Sequence, residues 1–343
     1  MAHVIRWGVI GTGNMAGQFA RGLQHARGAR LVAVASRSID RARQFGRTFG
    51  VPHCYGVTDA VVEDPCVDVI YVATPPALHH ECVMRCLEAG KPVLCEKPLA
   101  INADQARAMA AFARKRRLFL MEAMWTRFLP PLLEVRRLLQ EGAIGRVTRL
   151  EADLGFDRRS NAASWLRDPG LGGGCLLDVG VYPLTLAAMA LGTPLAIRGR
   201  ASVCETGVDE TNAIHLKYPG GAEALITADI CAPSPLEAHI IGSAGRLHLH
   251  TDWWKGGPFS LTTAAGTREF DLPVLGNGYA HEAEEVSRCL FAGATESRIM
   301  PLSESILSLQ IADHLRRQWG VKYPCEESAP GGSTASCVQE ACP

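Results

Sequence analysis

Over the first 122 residues, short β-branched runs alternate with longer stretches, several of which repeat apolar residues three and four positions apart. The runs at 5–10, 31–35, 67–73, 93–95 and 118–121 are nearly all apolar, the signature of strands covered on both faces. Between them, 16–25, 40–49, 78–89 and 103–115 read as helices. Strand and helix taking turns in this way predict an α/β fold, a doubly wound parallel sheet occupying residues 1–122.

After Trp125 the pattern changes. Residues 130–141 read as a helix, and 147–156, 197–204, 213–218, 222–230, 237–241 and 246–250 read as strands. Turns such as Pro219-Gly220-Gly221 join them, which favours an open, largely antiparallel sheet in a second α/β domain over residues 123–325. Helices at 280–291 and 303–319 close the fold, the last expected to pack back on the first domain. The tail 326–343, with Pro330-Gly331-Gly332-Ser333-Thr334, is expected to be disordered.

Composition removes several classes of function. The 343 residues carry 35 basic and 35 acidic side chains, a balance without the positive footprint that nucleic-acid binding needs. The apolar stretch 184–197 is broken by Gly192 and Pro194 and is too short to cross a bilayer. The opening apolar run passes straight into a glycine turn, without the pattern of an export leader. A cytoplasmic protein without membrane or nucleic-acid partners is expected. The 12 cysteines read as reduced thiols. His79, Cys82 and Cys86 have helical spacing but no evident fourth ligand, so they read as buried residues and no metal is expected.

Directly after the first strand comes Gly11-Thr12-Gly13-Asn14-Met15-Ala16, a GxGxxA motif opening a helix. Gly11 allows the tight turn, Gly13 lets backbone approach a pyrophosphate, and Ala16 lets helix pack on strand. The helix N-terminus then offers free amides to the anion. At the tip of the second strand, an acidic residue would select NAD by binding the free ribose hydroxyls. Here stands Ser36-Arg37-Ser38, followed by Asp40 and Arg41. Arg37 can pair with a 2'-phosphate and Ser36 can donate to it, which points to NADP rather than NAD. That Arg37 is only a solvated charge stays open at this level.

Two further segments carry candidate chemistry. Cys95-Glu96-Lys97-Pro98 ends a predicted strand at its carboxyl edge, where ligands of open parallel sheets sit, and Pro98 would turn Lys97 into the cleft. Gly172-Gly173-Gly174 runs into a helical pattern that sets Asp178 and Tyr182 one turn apart, with Pro183 as a source of kinking. A phenol ionises near 10, and a nearby ammonium such as Lys97 would favour the phenolate. From the residues alone, a core tyrosine is an equal reading.

Together, the GxGxxA turn, Ala73-Thr74-Pro75-Pro76 with His79, Glu96-Lys97-Pro98 and Asp178-x-Gly180-x-Tyr182 resemble the Gfo/Idh/MocA oxidoreductase family. Met121-Glu122-Ala123-Met124-Trp125-Thr126-Arg127-Phe128 and Leu176-Leu177-Asp178-Val179-Gly180-Val181-Tyr182 resemble its dihydrodiol dehydrogenase branch. The resemblance runs from about residue 4 to about residue 324. It implies a Rossmann domain whose nicotinamide lies between Lys97 and Tyr182. Tyr182 would be acid and base, Lys97 would lower its pKa, and Asp178 would orient substrate or Lys97. Gly11, Thr12, Gly13, Asn14, Met15, Ser36, Arg37, Arg41, Thr74, Pro75, His79, Glu96 and Lys97 would hold NADP. Trp125, Arg127 and Trp253 or Trp254 would meet the substrate, an aldose such as D-xylose or a trans-dihydrodiol, with core packing the alternative for Trp125 and a structural salt bridge the alternative for Arg127. The second domain would bind substrate and make a homodimer or larger homo-oligomer through its open sheet. Another sugar, inositol or ketosugar substrate, or a non-enzymatic NADP-dependent sensor, is the alternative; retention of Lys97 and Tyr182 speaks against the sensor.

Overall fold

In the computed structural model, which describes residues 4–158 and 165–326, the uniformly apolar runs become the strands of a parallel sheet. This half comprises β1 (Ile5–Ile10), α1 (Asn14–Leu23), β2 (Ala29–Ala35), α2 (Ile39–Phe49), β3 (His53–Tyr55), α3 (Thr58–Glu63), β4 (Val69–Val72), α4 (His79–Glu88), β5 (Val93–Glu96), α5 (Ala103–Arg116) and β6 (Leu120–Ala123). The strands pair in the order β3-β2-β1-β4-β5-β6, so the topology switches direction between β1 and β4. Every residue of β4 and β5 is buried, as the continuous apolar pattern requires. Ser38 caps α2 by accepting from the amide of Arg41, and Asn102 caps α5 through Gln105. Edge strand β3 and the short α3 were not expected. The strand has three half-buried residues and no apolar run to betray it.

The second half adds α6 (Pro130–Gln140), β7 (Val147–Gly155), a π-wound turn (Leu176–Gly180), α7 (Val181–Leu191), β8 (Ala196–Val203), β9 (Asp209–Lys217), β10 (Glu223–Asp229), β11 (Ala238–Gly242), β12 (Gly245–Leu249), β13 (Phe259–Thr263), β14 (Gly266–Phe270), α8 (Tyr279–Phe291) and α9 (Leu302–Trp319). Its eight strands run β14-β13-β12-β11-β7-β10-β9-β8, antiparallel except for the parallel pair β7 and β10. The hairpin β13-β14 went unread because four of the five β14 residues are exposed, which erases the alternation.

Leu150, Ala152, Ile214, Ile226 and Ile240 point to one buried face of this sheet, against which α7 and α9 pack. Glu151, His215, Thr227 and His239, on alternate positions, occupy the other face. Helix α9 also packs on α5, where Asp313 accepts from the amide of Ala103 at 2.9 Å. Glu326, expected in the disordered tail, accepts from Arg316 at 2.9 Å and from Asn102 at 3.0 Å. The rest of that tail lies outside the described residues. The stretch Pro169–Leu191 is long and apolar enough to cross a bilayer, but 78% of its apolar window is buried inside the fold. All ten described cysteines are free thiols.

Candidate active site

Four chain segments meet at the carboxyl edge of the parallel sheet: the turns after β1, β2, β4 and β5. Gly11 adopts φ 108°, and a Cβ there would lie 2.5 Å from the carbonyl oxygen of Ala73, so only glycine lets β1 turn beside β4. Gly13 caps α1 with no side-chain acceptor, and the first turn of α1 holds no acid. A Cβ on Gly13 would meet nothing within 4 Å. Open space over free helix amides fits the pyrophosphate of a dinucleotide. Asn14 is exposed and Met15 half-buried on this turn. Thr12 donates to Ser36 Oγ at 3.4 Å, joining the turn to the tip of β2. Arg37 and Arg41 are exposed there, and Arg37 has no ion-pair or hydrogen-bond partner among the described residues. Thr74 and Pro75 follow β4 and are half-buried.

His79 takes a different place from the one expected. It is fully buried, with Nδ1 2.8 Å from the carbonyl of Pro98 and Nε2 2.9 Å from that of Thr74. The ring sits between the loops after β4 and β5 with both nitrogens facing carbonyls, and as a neutral imidazole it donates its single N–H to one of them. Burial lowers its pKa, against the two carbonyls. Nor does the ring converge with Cys82 and Cys86: Cys86 is packed in the core, where burial pushes its thiol up.

At the tip of β5 the Lys97-Pro98 peptide is cis. Lys97 Nζ lies 2.7 Å from Asp178 Oδ1 and 2.7 Å from the Asp178 carbonyl. The π-wound turn makes this carbonyl available. Pro183 supplies no N–H to the turn behind it, and the ammonium occupies the acceptor. The turn begins where Gly174, at φ 116°, leaves the glycine loop, and Asp209 fixes it by accepting from the amide of Leu176 at 2.8 Å. Thus Asp178 and Tyr182 follow one another across a junction of π and α winding, not along the regular helix expected.

Burial disfavours the Lys97 ammonium, but Asp178, Tyr182 and Glu96 outweigh it and hold the pKa above the ordinary lysine value. The ammonium stands 4.9 Å from the centroid of the Tyr182 ring. Burial pushes the Tyr182 phenol up; Lys97 and the Trp125 N–H oppose this without cancelling it. Lys97 does lower the phenol pKa, as expected, but burial outweighs it and the net shift is upward, which corrects the net lowering expected for Tyr182. Glu96 is also buried. It accepts from the Tyr71 hydroxyl and from the Lys97 amide, the latter at 3.1 Å, and burial raises its pKa to about 7.

Aromatic rings surround the phenol. Trp125 donates its indole N–H to Tyr182 Oη at 3.1 Å and stacks on Tyr279, centroids 5.0 Å apart. Trp254 lies 5.5 Å from the Tyr182 ring and meets Phe156 edge-on at 5.6 Å. Trp253 is buried and donates to the carbonyl of Asp153, so Trp254 is the member of the pair that joins this wall. Arg127 does not join it. Its buried guanidinium donates to Glu304 at 2.6 Å and to the carbonyl of Ile299 at 2.8 Å, the structural salt bridge that was the alternative to a substrate contact. Tyr279 and Phe156 were missed by sequence reasoning. Neither lies in a motif, and only folding brings them to Trp125 and Trp254.

Known proteins share this arrangement of two halves. Residues 5–124 match the oxidoreductase family with an NAD-binding Rossmann fold, and residues 132–248 match the GFO/IDH/MocA C-terminal domain. The chain is 36% identical to the trans-1,2-dihydrobenzene-1,2-diol dehydrogenases of Mus musculus and Homo sapiens, over 93% of its own length and 98% of theirs. Among solved structures, KijD10, a 3-ketoreductase from Actinomadura kijaniata in complex with NADP and TDP-benzene, is 28% identical with a TM-score of 0.80, covering 92% of this chain and 98% of that one. An aldose-aldose oxidoreductase from Caulobacter crescentus has the same fold, with a TM-score of 0.85 at 24% identity over 93% and 98% of the two chains. With both halves matched and relatives more than a third identical nearly end to end, the chain belongs to the Gfo/Idh/MocA family of NAD(P)-dependent oxidoreductases.

Proposed function

We propose that the protein is an NADP-dependent dehydrogenase acting on a CH–OH group of a trans-dihydrodiol or an aldose such as D-xylose. The observation that carries this reading is the Tyr182 phenol held between the Lys97 ammonium and the Trp125 indole, beside an aromatic wall. When bound, the nicotinamide supplies or accepts the hydride. Tyr182 holds the proton that passes to the substrate oxygen during reduction and returns during oxidation. Lys97 stabilises the phenolate left behind, and Asp178 keeps the ammonium in place through two short contacts. Trp125 fixes the phenolic oxygen, and Trp254 with Phe156 offers apolar faces to a diene ring or to the C–H face of a sugar.

Ser36 and the unpaired Arg37 support NADP over NAD, since the tip of β2 has no acid to repel a 2'-phosphate. Gly11, Thr12, Gly13, Asn14 and Met15 would hold the pyrophosphate end, with Arg41, Thr74, Pro75 and Glu96 around the cleft. A cytoplasmic homodimer built through the open face of the second sheet belongs to the same proposal, and light scattering tests the assembly. The deciding assay follows NADP reduction by the absorbance of the reduced nicotinamide, with a trans-dihydrodiol, D-xylose, D-glucose and myo-inositol, repeated with NAD. Turnover of the diol or xylose with a preference for NADP supports the reading. Turnover of inositol or glucose alone, or a preference for NAD, overturns its substrate or cofactor half.

A further inference from the structure

On the face of the second sheet turned away from α7 and α9, three side chains of metal-binding type converge. Strand alternation puts them there: His239 on β11 and His248 on β12 are direct cross-strand partners, and Glu237, two residues before His239, shares its face. The imidazole rings stack with centroids 4.1 Å apart. Both Nε2 atoms approach the same carboxylate oxygen, Glu237 Oε2, at 3.1 Å from His248 and 3.9 Å from His239. One ligand atom from each of the three lies within 4.8 Å of the other two.

Hydrogen bonding accounts for only part of this. The contact with His248 is a hydrogen bond; the 3.9 Å separation from His239 is too long to be one. Glu237 has no lysine or arginine ion partner among the described residues. A tetrahedral zinc ion with bonds of about 2.0–2.2 Å holds its donors about 3.3 Å apart, a spacing that falls between the two observed distances. Reaching it requires the two stacked rings to turn until both Nε2 lone pairs, which lie in the ring planes, point at one spot beside Glu237.

We propose that Glu237, His239 and His248 bind a zinc-type divalent cation on the same open sheet face that the homodimer is proposed to use, with a fourth position left to water enclosed there. Two imidazole nitrogens and one carboxylate oxygen suit zinc far better than magnesium or calcium, which take oxygen ligands. The site borders the groove of about 970 Å³ on this open face, across the sheet from Tyr182. The cation would therefore clamp β11 to β12 and stabilise the folded protein by binding to it, without entering the reaction.

The test is isothermal titration of tag-free, full-length, EDTA-treated protein with zinc chloride, alongside His239→Ala, His248→Ala and His53→Ala. The last variant probes the other described cluster of metal-binding side chains, His53 with Asp64 and Cys66. The expected result is one zinc per chain, with affinity falling at least about tenfold in His239→Ala and His248→Ala and unchanged in His53→Ala. Absence of zinc binding, equal affinity in all variants, or loss in His53→Ala alone overturns the proposal. If an alanine variant does not fold, Glu237→Gln, which keeps the shape and removes the charge, gives the same reading.

Discussion

The indole nitrogen of Trp125 donates to the phenolic oxygen of Tyr182 across 3.1 Å, joining residues 57 positions apart in the chain. This bond favours the phenolate, so Trp125→Phe raises the phenol pKa further. Stacking on Tyr279 survives in the variant. We expect kcat for alcohol oxidation to fall about tenfold, the loss of one hydrogen bond to a developing charge, with the ascending limb of the pH profile, where the phenol loses its proton, moved to higher pH. A pH series of kcat with wild type and variant checks both.

Tyr182→Phe removes the transferable proton itself. Turnover should fall by about 10²–10⁴-fold, with the dissociation constant for NADPH, read from its fluorescence, nearly unchanged. Full activity in this variant would remove the assigned role.

Arg37→Ala discriminates between the two nicotinamide cofactors. Loss of charge-assisted bonds to a 2'-phosphate should weaken NADPH binding by about 10–100-fold and leave NADH binding nearly as it was. Equal losses would return Arg37 to a solvated surface charge.

Glu96 links stability to pH. Its pKa rises from the unfolded value of 4.5 to about 7, so the folded state binds the extra proton between these values. The stabilisation is therefore complete below about pH 4.5 and is lost as pH rises through about 7, a change of roughly 3 kcal/mol. Glu96→Gln should remove that share of the decline. Chemical denaturation of both proteins across pH 5–8 measures the difference in slope.

Arg127→Met tests the structural ion pair with Glu304. Breaking a largely buried pair costs about 3 kcal/mol, which should lower the unfolding midpoint by several degrees, while the Michaelis constant for substrate stays close to that of wild type. A large rise in that constant with normal stability would restore Arg127 to the substrate site.

What the sequence determined by itself was everything that short-range physics fixes. The uniformly apolar runs placed β1 at its observed ends and the other main strands of the parallel sheet within a few residues, because a strand buried on both faces cannot hide its composition. Gly11 and Gly13 were legible because backbone geometry at a strand-to-helix turn admits little else. Tertiary structure decided the rest. The Lys97 contact with Asp178 spans 81 residues and the Arg127 bond to Glu304 spans 177, and no local pattern encodes either. Burial is likewise a property of the assembled fold. Lys97 beside Tyr182 suggested a lowered phenol pKa from sequence, yet desolvation by surrounding elements outweighs one neighbouring ammonium and reverses the sign. The same distinction separates His79, which the motif offered to a cofactor, from its place between two backbone carbonyls. Residue types set what chemistry is available, and packing decides which atoms remain free to perform it.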